Sequence, residues 1–156
     1  MSSTVAERLL SLLRDHDVSF SFKEHAPVKT SQEAAAVRGT PLHEGAKALV
    51  FAADEAMVLA VVPAHRRVGT RAFKRAFGIK NLRIVNPDEL RELTGLPVGA
   101  VPPFGSVIDL PTYVDRGLLA NERISFNAGS RTASIVMACQ DYIDVEQPTL
   151  ADFSAD

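Results

Sequence analysis

The sequence predicts an α+β fold, with helices packed around a mixed β-sheet. Strand-like apolar stretches and amphipathic helical stretches are interspersed along the 156 residues, without the strict alternation of a parallel βαβ protein. Several neighbouring strands are too close in sequence for a crossover helix, so some of them must pair antiparallel. The length and the 46% hydrophobic content fit one domain, residues 1–156, with a core of its own.

The first helix and the first strand are predicted from local patterns. Thr4 stands three residues before Glu7, which is a capping box, and a helical pattern of leucines follows, so a helix should cover residues 4–15. Phe20 and Phe22 then alternate with polar residues, which is typical of a short strand.

A second capping box precedes the centre of the sheet. Thr30 and Glu33 open a small helix that Gly39 should end as a left-handed cap. Two apolar runs follow, at residues 46–53 and 57–62, separated by Asp-Glu. This pattern predicts a β-hairpin in the middle of the sheet.

The second half of the chain continues in the same style. A basic helix is predicted at residues 70–77, a strand at 82–85, and a helix that Asn86 and Pro87 open and Gly95 closes. The later elements are four predicted strands and one short helix, at residues 107–110, 112–115, 124–126, 132–137 and 141–145.

The most unusual segment is an apolar loop at residues 95–105. Three glycines and three prolines interrupt it, so it can be neither a helix nor a strand. Its remaining side chains include Leu96, Val98, Val101 and Phe104, whereas a disordered linker would be polar. We therefore expect a rigid loop that lines a pocket or seals a core.

Lys47 is the second unusual feature, because it lies inside the apolar run that predicts the first hairpin strand. A strand lysine among apolar neighbours either reaches solvent at the strand end or serves a functional site. The residues alone leave both interpretations open.

The charge distribution is uneven although the net charge is only -2. Residues 57–87 contain seven basic residues and no acidic one, which leaves ten basic against nineteen acidic residues elsewhere. Such a stretch is either a site for a polyanion or an ordinary solvated helix face. Its basic residues are Arg66, Arg67, Arg71, Lys74, Arg75, Lys80 and Arg83.

The common catalytic signatures are absent from the sequence. It contains no GxGxxG, no GxxxxGK[ST] and no GxSxG, so the residues do not favour dinucleotide, P-loop or nucleophile-elbow chemistry. The four histidines show no HExxH spacing and Cys139 is alone, so neither a metal site nor a cofactor is predicted. The lone cysteine and the lack of a signal peptide or a long apolar run predict a cytoplasmic protein that does not enter a membrane.

The order of these motifs resembles the YbaK/ProX family, the aminoacyl-tRNA editing domains associated with prolyl-tRNA synthetase. A helix and a strand are followed by His25 and the segment 30–35, then by the strand lysine Lys47, the loop at 99–105 and the segment 127–129. The order and spacing, rather than any single motif, carry the resemblance, which covers nearly the whole chain.

The resemblance implies a mixed, partly barrel-like sheet flanked by helices, and hydrolysis of the ester that joins a wrong amino acid to the 3′ end of a tRNA. Lys47 falls on the family's functional lysine and is the predicted catalytic residue, with a role in binding and polarisation rather than as a general base. Candidate substrate contacts are Phe22, His25, Thr30, Gly99, Ala100, Val101, Pro102, Phe104, Gly105, Asn127, Gly129 and Ser130.

The implied partner is the acceptor end of tRNA. Its candidate contacts are Arg66, Arg67, Arg71, Lys74, Arg75 and Lys80. Because the overall charge is negative, the affinity for tRNA is expected to be modest, with prolyl-tRNA synthetase or an elongation factor as candidate additional partners.

Two positions separate this chain from two branches of the family. Ala48 stands where members acting on alanyl-tRNA tend to have asparagine, and Ser134 stands where members acting on cysteinyl-tRNA tend to have an acidic residue. A small uncharged amino acid of another branch, on tRNA-Pro or a related tRNA, is the expected substrate.

The sequence leaves two alternatives to a freestanding deacylase. One is a non-catalytic member of the family that binds tRNA, an amino acid or a synthetase. The other is a hydrolase of an unrelated small ester or amide, which would leave the basic stretch unexplained.

Overall fold

The computed structural model describes residues 4–156. The helices are α1 (Val5–Asp15), α2 (Ser31–Arg38), α3 (Thr70–Phe77), α4 (Pro87–Thr94) and α5 (Cys139–Glu146). The strands are β1 (Phe20–Glu24), β2 (Ala46–Ala53), β3 (Ala56–Pro63), β4 (Arg67–Val68), β5 (Leu82–Ile84), β6 (Thr112–Asp115), β7 (Arg123–Asn127), β8 (Ala133–Ala138), β9 (Thr149–Ala151) and β10 (Ser154–Ala155).

The strands form three sheets, and the largest is mixed. Its order is β5-β2-β3-β6-β9, in which β6 lies parallel to β3 and β9 parallel to β6, while β2 pairs antiparallel with both of its neighbours. A second, antiparallel sheet has the order β1-β8-β7, and β4 pairs with β10 in a third. The predicted α+β class with a mixed sheet is confirmed, and the strands at residues 4–156 do not close into a barrel.

The central hairpin and the predicted helix starts are confirmed, but Thr30 and Glu33 form only half of the predicted capping box, because the Glu33 carboxylate accepts from the N–H of Lys29 instead of Thr30. Thr4 and Asn86 each form a capping box at the start of α1 and α4, and the Thr30 side chain accepts from the N–H of Glu33 at the start of α2. Gly39 ends α2 in the left-handed conformation, with φ of 69°. Strands β2 and β3 pair along their whole length, as the two apolar runs predict.

The prediction of a strand at residues 107–110 is wrong. Gly105–Val107 is a short 3₁₀ helix, and the N–H groups of both Ile108 and Leu110 donate to the carbonyl of Gly105, which closes a tight turn. The apolar side chains of Val107 and Ile108 are buried because this turn packs against the core, so their hydrophobicity imitates a strand.

The large sheet carries a separate apolar cluster on each face. Even-numbered residues of β2, such as Ala46 and Val50, face the larger cluster with α1, the loop and α5. Odd-numbered residues such as Phe51 face the smaller cluster, which contains Phe73 of α3. Because successive strand residues point to opposite faces, Lys47 lies on the α3 face of this sheet.

None of the helices that the structure describes has the length and apolar character needed to cross a membrane.

Gly105 is expected to be required for stability. A Cβ at this position would overlap the carbonyl oxygen of Leu110 and the Oγ1 of Thr112, and Thr112 Oγ1 also accepts from the N–H of Gly105 at 2.8 Å. Gly105→Ala should therefore lower the free energy of unfolding by about 3 kcal/mol or more, at the upper end of overpacking costs.

Gly78→Ala is the matched control, because a Cβ there meets nothing within 4 Å and only the left-handed backbone, with φ of 65°, is strained. Its cost should be about 1–2 kcal/mol. Denaturant unfolding of the two variants measures the difference, and equal losses would mean that the turn at Gly105 can relax.

Candidate active site

A gap in strand pairing lies beside the first half of β2. Strand β3 covers one edge of β2 throughout, but β5 covers the other edge only from Phe51 to Ala53. At the other end of the gap, Gly45 bridges to Ser125 of β7, in the second sheet. Residues 46–49 therefore present an open strand edge about 13 Å long.

The backbone of Ala48 points into this gap. Gly45 accepts from the N–H of Ala64, at the end of β3, whereas the carbonyl of Val50 accepts from Val85 on the opposite edge. Hydrogen-bonding direction alternates along a strand, so Ala48 shares the direction of Val50. No strand pairs with Ala48 on that edge within residues 4–156.

A cavity of about 210 Å³ occupies the gap. Its walls come from β2, one face of α2 and the residues before it, the Gly/Pro loop and the end of β7. The lining residues are Val28, Lys29, Thr30, Ser31, Ala34, Arg38, Gly45, Ala46, Lys47, Ala48, Leu49, Ala64, Val98, Gly99, Val101 and Asn127. Every ionisable side chain in this wall is basic.

Lys47 is a partly buried cation in the wall. Burial lowers the pKa of its ammonium group from the ordinary value of 10.5. No hydrogen-bond or ion-pair partner of its Nζ atom occurs in the part of the chain that the structure describes. The group is therefore available to a ligand in the cavity.

Arg38 is a second cation in the wall, and the sequence analysis missed it. Its Nε donates to Ser134 Oγ at 2.9 Å, its Nη1 to Ser125 Oγ at 3.2 Å and its Nη2 to Asn127 Oδ1 at 2.9 Å. All three acceptors are uncharged, and no carboxylate among residues 4–156 pairs with it. Burial lowers the pKa of Arg38 to about 10.

A signal for Arg38 was present in the sequence. It lies four residues after Ala34, which is buried, so both residues lie on the inner face of α2. A cation in the last turn of a helix before a glycine cap is ordinarily solvated, and that common pattern concealed the inward position.

Side chains from the β7–β8 region hold two consecutive carbonyls of the Gly/Pro loop. Arg131 Nε donates to the carbonyl of Val98 at 2.7 Å, and Asn127 Nδ2 donates to the carbonyl of Gly99. Gly99 has φ of 88°, a conformation that glycine adopts without strain. The loop therefore presents a fixed backbone to the cavity.

The structure brings five of the predicted site residues to the cavity wall: Lys47, Thr30, Gly99, Val101 and Asn127. The other candidate substrate contacts lie outside the lining. These residues are Phe22, His25, Ala100, Pro102, Phe104, Gly105, Gly129 and Ser130.

Those outlying residues mostly support the site or the core. Phe104 is fully buried against Phe126 and Tyr142, at ring-centroid distances of 5.5 and 4.9 Å. His25 Nε2 lies 2.8 Å from Ser134 Oγ, behind Arg38, whereas Phe22 is 44% exposed on β1.

The basic stretch forms the outer face of α3 and its flanks. Phe73 and Phe77 of α3 pack inward, 4.9 Å apart between ring centroids, while Arg71 and Arg75 are exposed on the opposite side. Lys74 is partly exposed beside them. Helical spacing places the three cations within one arc of the helix surface.

Two basic residues of the stretch are already engaged within the chain. Arg66 forms an ion pair with Asp156 at 2.9 Å and also donates to Ser154, and Arg83 pairs with Glu89 at 2.7 Å. The candidate tRNA contacts without an ion pair, among the described residues, are Arg67, Arg71, Lys74, Arg75 and Lys80.

The described residues contain no group of three or more His, Cys, Asp and Glu side chains arranged to hold a metal ion. Cys139 is buried, and its sulfur lies 3.7 Å from the carbonyl oxygen of Leu118.

Comparisons with known proteins agree with one another. The family model of the aminoacyl-tRNA editing domain matches residues 25–145. The multifunctional Ser/Thr-tRNA deacylase ProXp-y of Escherichia coli K12 is 31% identical over 156 residues, covering 97% of this chain and 93% of the relative. A proline–tRNA ligase of Solidesulfovibrio magneticus is 38% identical over 95 residues, which cover 60% of this chain and 16% of the ligase.

A solved structure of a candidate trans-editing enzyme for prolyl-tRNA synthetase superimposes with a TM-score of 0.85. It is 27% identical in sequence, and the match covers 100% of both chains.

Replacing Lys47 with methionine is expected to maintain or raise the free energy of unfolding near neutral pH. Burial lowers the pKa of the ammonium group, so the charged form is less favourable in the folded chain than in the unfolded chain. The advantage of the variant should shrink as the pH rises, because wild-type Lys47 loses its proton first in the folded state.

Denaturant unfolding at neutral and alkaline pH tests this expectation, with Arg14→Met on the exposed end of α1 as a control whose effect should not change with pH. A loss of more than about 1 kcal/mol in the Lys47 variant would show that the lysine stem is needed for packing.

Proposed function

Because the chain belongs to the family of aminoacyl-tRNA editing domains and hydrolyses aminoacyl-tRNA esters, we propose that it is a freestanding trans-editing enzyme. Its proposed substrate is a small uncharged amino acid esterified to tRNA-Pro or a related tRNA. The observation that carries this proposal is the position of Lys47, a cation without a partner among the described residues, in the same cavity wall as the Gly99 backbone.

The size and the lining of the cavity support a small substrate. A volume of about 210 Å³ is below the range of about 300–1,000 Å³ typical of pockets for drug-sized ligands. Thr30 and Ser31 contribute hydroxyl groups to the wall, and Ala46 and Ala48 contribute small apolar surfaces. Serine and threonine, the amino acids in the name of the E. coli relative, belong to this size class.

Lys47 is proposed to bind the ester and to stabilise negative charge on its carbonyl oxygen. Hydrolysis requires water to attack the carbonyl carbon, after which the bond to the ribose oxygen breaks and that oxygen receives a proton from the water. An ammonium group and loop N–H donors directed at the developing oxyanion lower the barrier of the attack. The carbonyl of Ala48, on the open edge of β2, is a suitable acceptor for the amino group of the substrate.

A positively charged wall argues against a general base supplied by this chain. Lys29, Arg38 and Lys47 are the ionisable residues of the lining, and no carboxylate or imidazole accompanies them. The attacking water is therefore proposed to be oriented or deprotonated by the substrate itself, through a ribose hydroxyl or the amino acid. This assignment retains Lys47 as a binding and polarising cation.

The proposed partner is the acceptor end of tRNA in the cytoplasm. The cations on the outer face of α3 suit its phosphates. Similarity to part of a proline–tRNA ligase supports a synthetase as an additional partner that delivers mischarged tRNA, with an elongation factor as the alternative.

The first experiment is a deacylation screen of the wild-type chain against a panel of mischarged tRNAs, followed by Lys47→Ala on the best substrate. The variant should lose about 100-fold or more in kcat, the cost of removing one oxyanion donor. Its circular dichroism spectrum and melting temperature should match the wild type. Arg14→Ala, which removes an exposed cation outside the cavity lining, should retain full activity.

Wild-type turnover by Lys47→Ala would contradict the catalytic assignment. Binding of tRNA without hydrolysis of any ester in the panel would instead identify a non-catalytic member of the family.

The pH dependence offers a second test of Lys47. If the ammonium form is required, the enzymatic rate above background should fall as the pH rises. This fall should occur at a lower pH than for an ordinary lysine, because burial lowers the pKa of Lys47. Lys47→Arg, with a group that stays protonated, should lose the alkaline fall even where its overall rate is reduced. A fall at the same pH in both proteins would assign the titration to another group.

The role of α3 is tested by reversing Lys74 and Arg75 to glutamate. Phosphate contacts position tRNA without touching the ester, so KM for mischarged tRNA should rise and its salt dependence should flatten. Hydrolysis of a short aminoacyl-adenosine mimic should be unchanged.

Reversal of Arg14 and Arg91 to glutamate is the matched control, because it changes the net charge equally and also places acids in last turns of helices. A KM as high in this control as in the α3 variant would show that net charge alone governs binding. Equal losses of the α3 variant on both substrates would indicate misfolding.

A further inference from the structure

Arg38 lies at the centre of a hydrogen-bond network in the wall of the cavity. Its guanidinium group bonds to side chains of β7 and β8, so it links α2 to the second sheet. The Ser134 hydroxyl that accepts from Arg38 lies 2.8 Å from Nε2 of His25, whose Nδ1 is 2.9 Å from the carbonyl of Ala26. Since that carbonyl can only accept, Nδ1 carries a proton, and the Ser134 hydroxyl also lies 3.5 Å from Oδ1 of Asn127.

The network determines which way the Asn127 amide points. A guanidinium group only donates, so the Asn127 atom beside Nη2 of Arg38 must be the oxygen. The amide nitrogen is thereby directed at the carbonyl of Gly99, which only accepts. Both ends of the side chain are consistent with a single orientation.

The orientation of Asn127 and Arg131 in turn determines that of the loop peptides. In a trans peptide the N–H points away from the preceding carbonyl, and the described residues contain no cis peptide. Because Arg131 holds the carbonyl of Val98, the N–H of Gly99 points to the opposite side, and no partner for it occurs within residues 4–156. Gly99 itself lines the cavity.

We propose that Arg38 is a positioning residue, which acts through the Asn127 amide to hold the carbonyl of Gly99. Together with Arg131 on the carbonyl of Val98, this contact fixes the loop so that the Gly99 N–H is directed at the scissile carbonyl. This inference rests on the proposed deacylase function and adds residues to it that do not touch the reacting atoms. It also explains why a partly buried cation has only uncharged acceptors. An acceptor carboxylate in place of the Asn127 amide would satisfy Arg38 better, but it could not hold the loop.

Asn127→Asp separates positioning from stability, because it should change the two in opposite directions. The carboxylate pairs with Arg38, so the melting temperature should stay the same or rise. Neither carboxylate oxygen can donate to the carbonyl of Gly99, so kcat on an aminoacyl-adenosine mimic should fall about 100-fold, with KM within about twofold.

Arg38→Gln removes the other end of the relay and should lower both kcat and the melting temperature. Arg123→Gln is the control on β7, the strand that carries Asn127. Arg123 is exposed and pairs with Glu44, so this substitution should leave kcat unchanged. Wild-type kcat in Asn127→Asp, or a melting temperature that falls in proportion to its kcat, would overturn the proposal.

A measurement without substrate separates this inference from the proposed function. The ¹⁵N–¹H resonance of Gly99 should shift in Asn127→Asp and Arg38→Gln but not in Arg123→Gln. An unmoved resonance would overturn the positioning role even if the wild type is active. An inactive wild type with the expected shifts would overturn the deacylase while supporting the network.

Discussion

The site depends on one constraint, the incomplete pairing of β2. If β5 extended along the whole strand, its backbone would fill the gap beside residues 46–49 and no cavity could form. The bridge from Gly45 to Ser125 ends the gap on one side, and the β5 ladder at Phe51 ends it on the other. Full pairing with β3 keeps the open edge rigid. Lys47 thus projects from an ordered strand, which is a more precise support than a mobile loop.

Local patterns predicted much of the fold because the residues that begin and end its helices act on near neighbours in the sequence. The capping residues Thr4, Thr30 and Asn86 act on neighbours three residues away, so the sequence displays them directly. The error at residues 107–110 arose because buried apolar residues look alike in a strand and in a packed turn. The pairing of β4 with β10 joins segments far apart in sequence, and no local pattern signals it.

The residues of the candidate site likewise differ in whether the local sequence predicts them. Lys47 and the loop at 99–101 are unusual in their own surroundings, a cation in an apolar strand and glycines among prolines, and the structure brings both to one cavity. Arg38 is unusual only through its partners, Ser125, Asn127 and Ser134, which are 87 to 96 residues away. A residue whose role is set by distant contacts resembles a surface arginine until the fold is known.

The site is positively charged because the groups that accept hydrogen bonds from Arg38 are all neutral. Ser134 stands where the resemblance places an acidic residue in members acting on cysteinyl-tRNA, and its hydroxyl accepts from Arg38 without cancelling the charge. The wall therefore carries uncompensated positive charge, which favours an oxygen-rich, anionic ligand and disfavours a cationic side chain. Lys47 and the cations of α3 also share one face of the large sheet, since Phe73 packs on the side to which odd residues of β2 point. In the proposed complex, a tRNA lying over α3 extends its terminal ester toward Lys47, so that its phosphates and its carbonyl oxygen meet the same sign of charge.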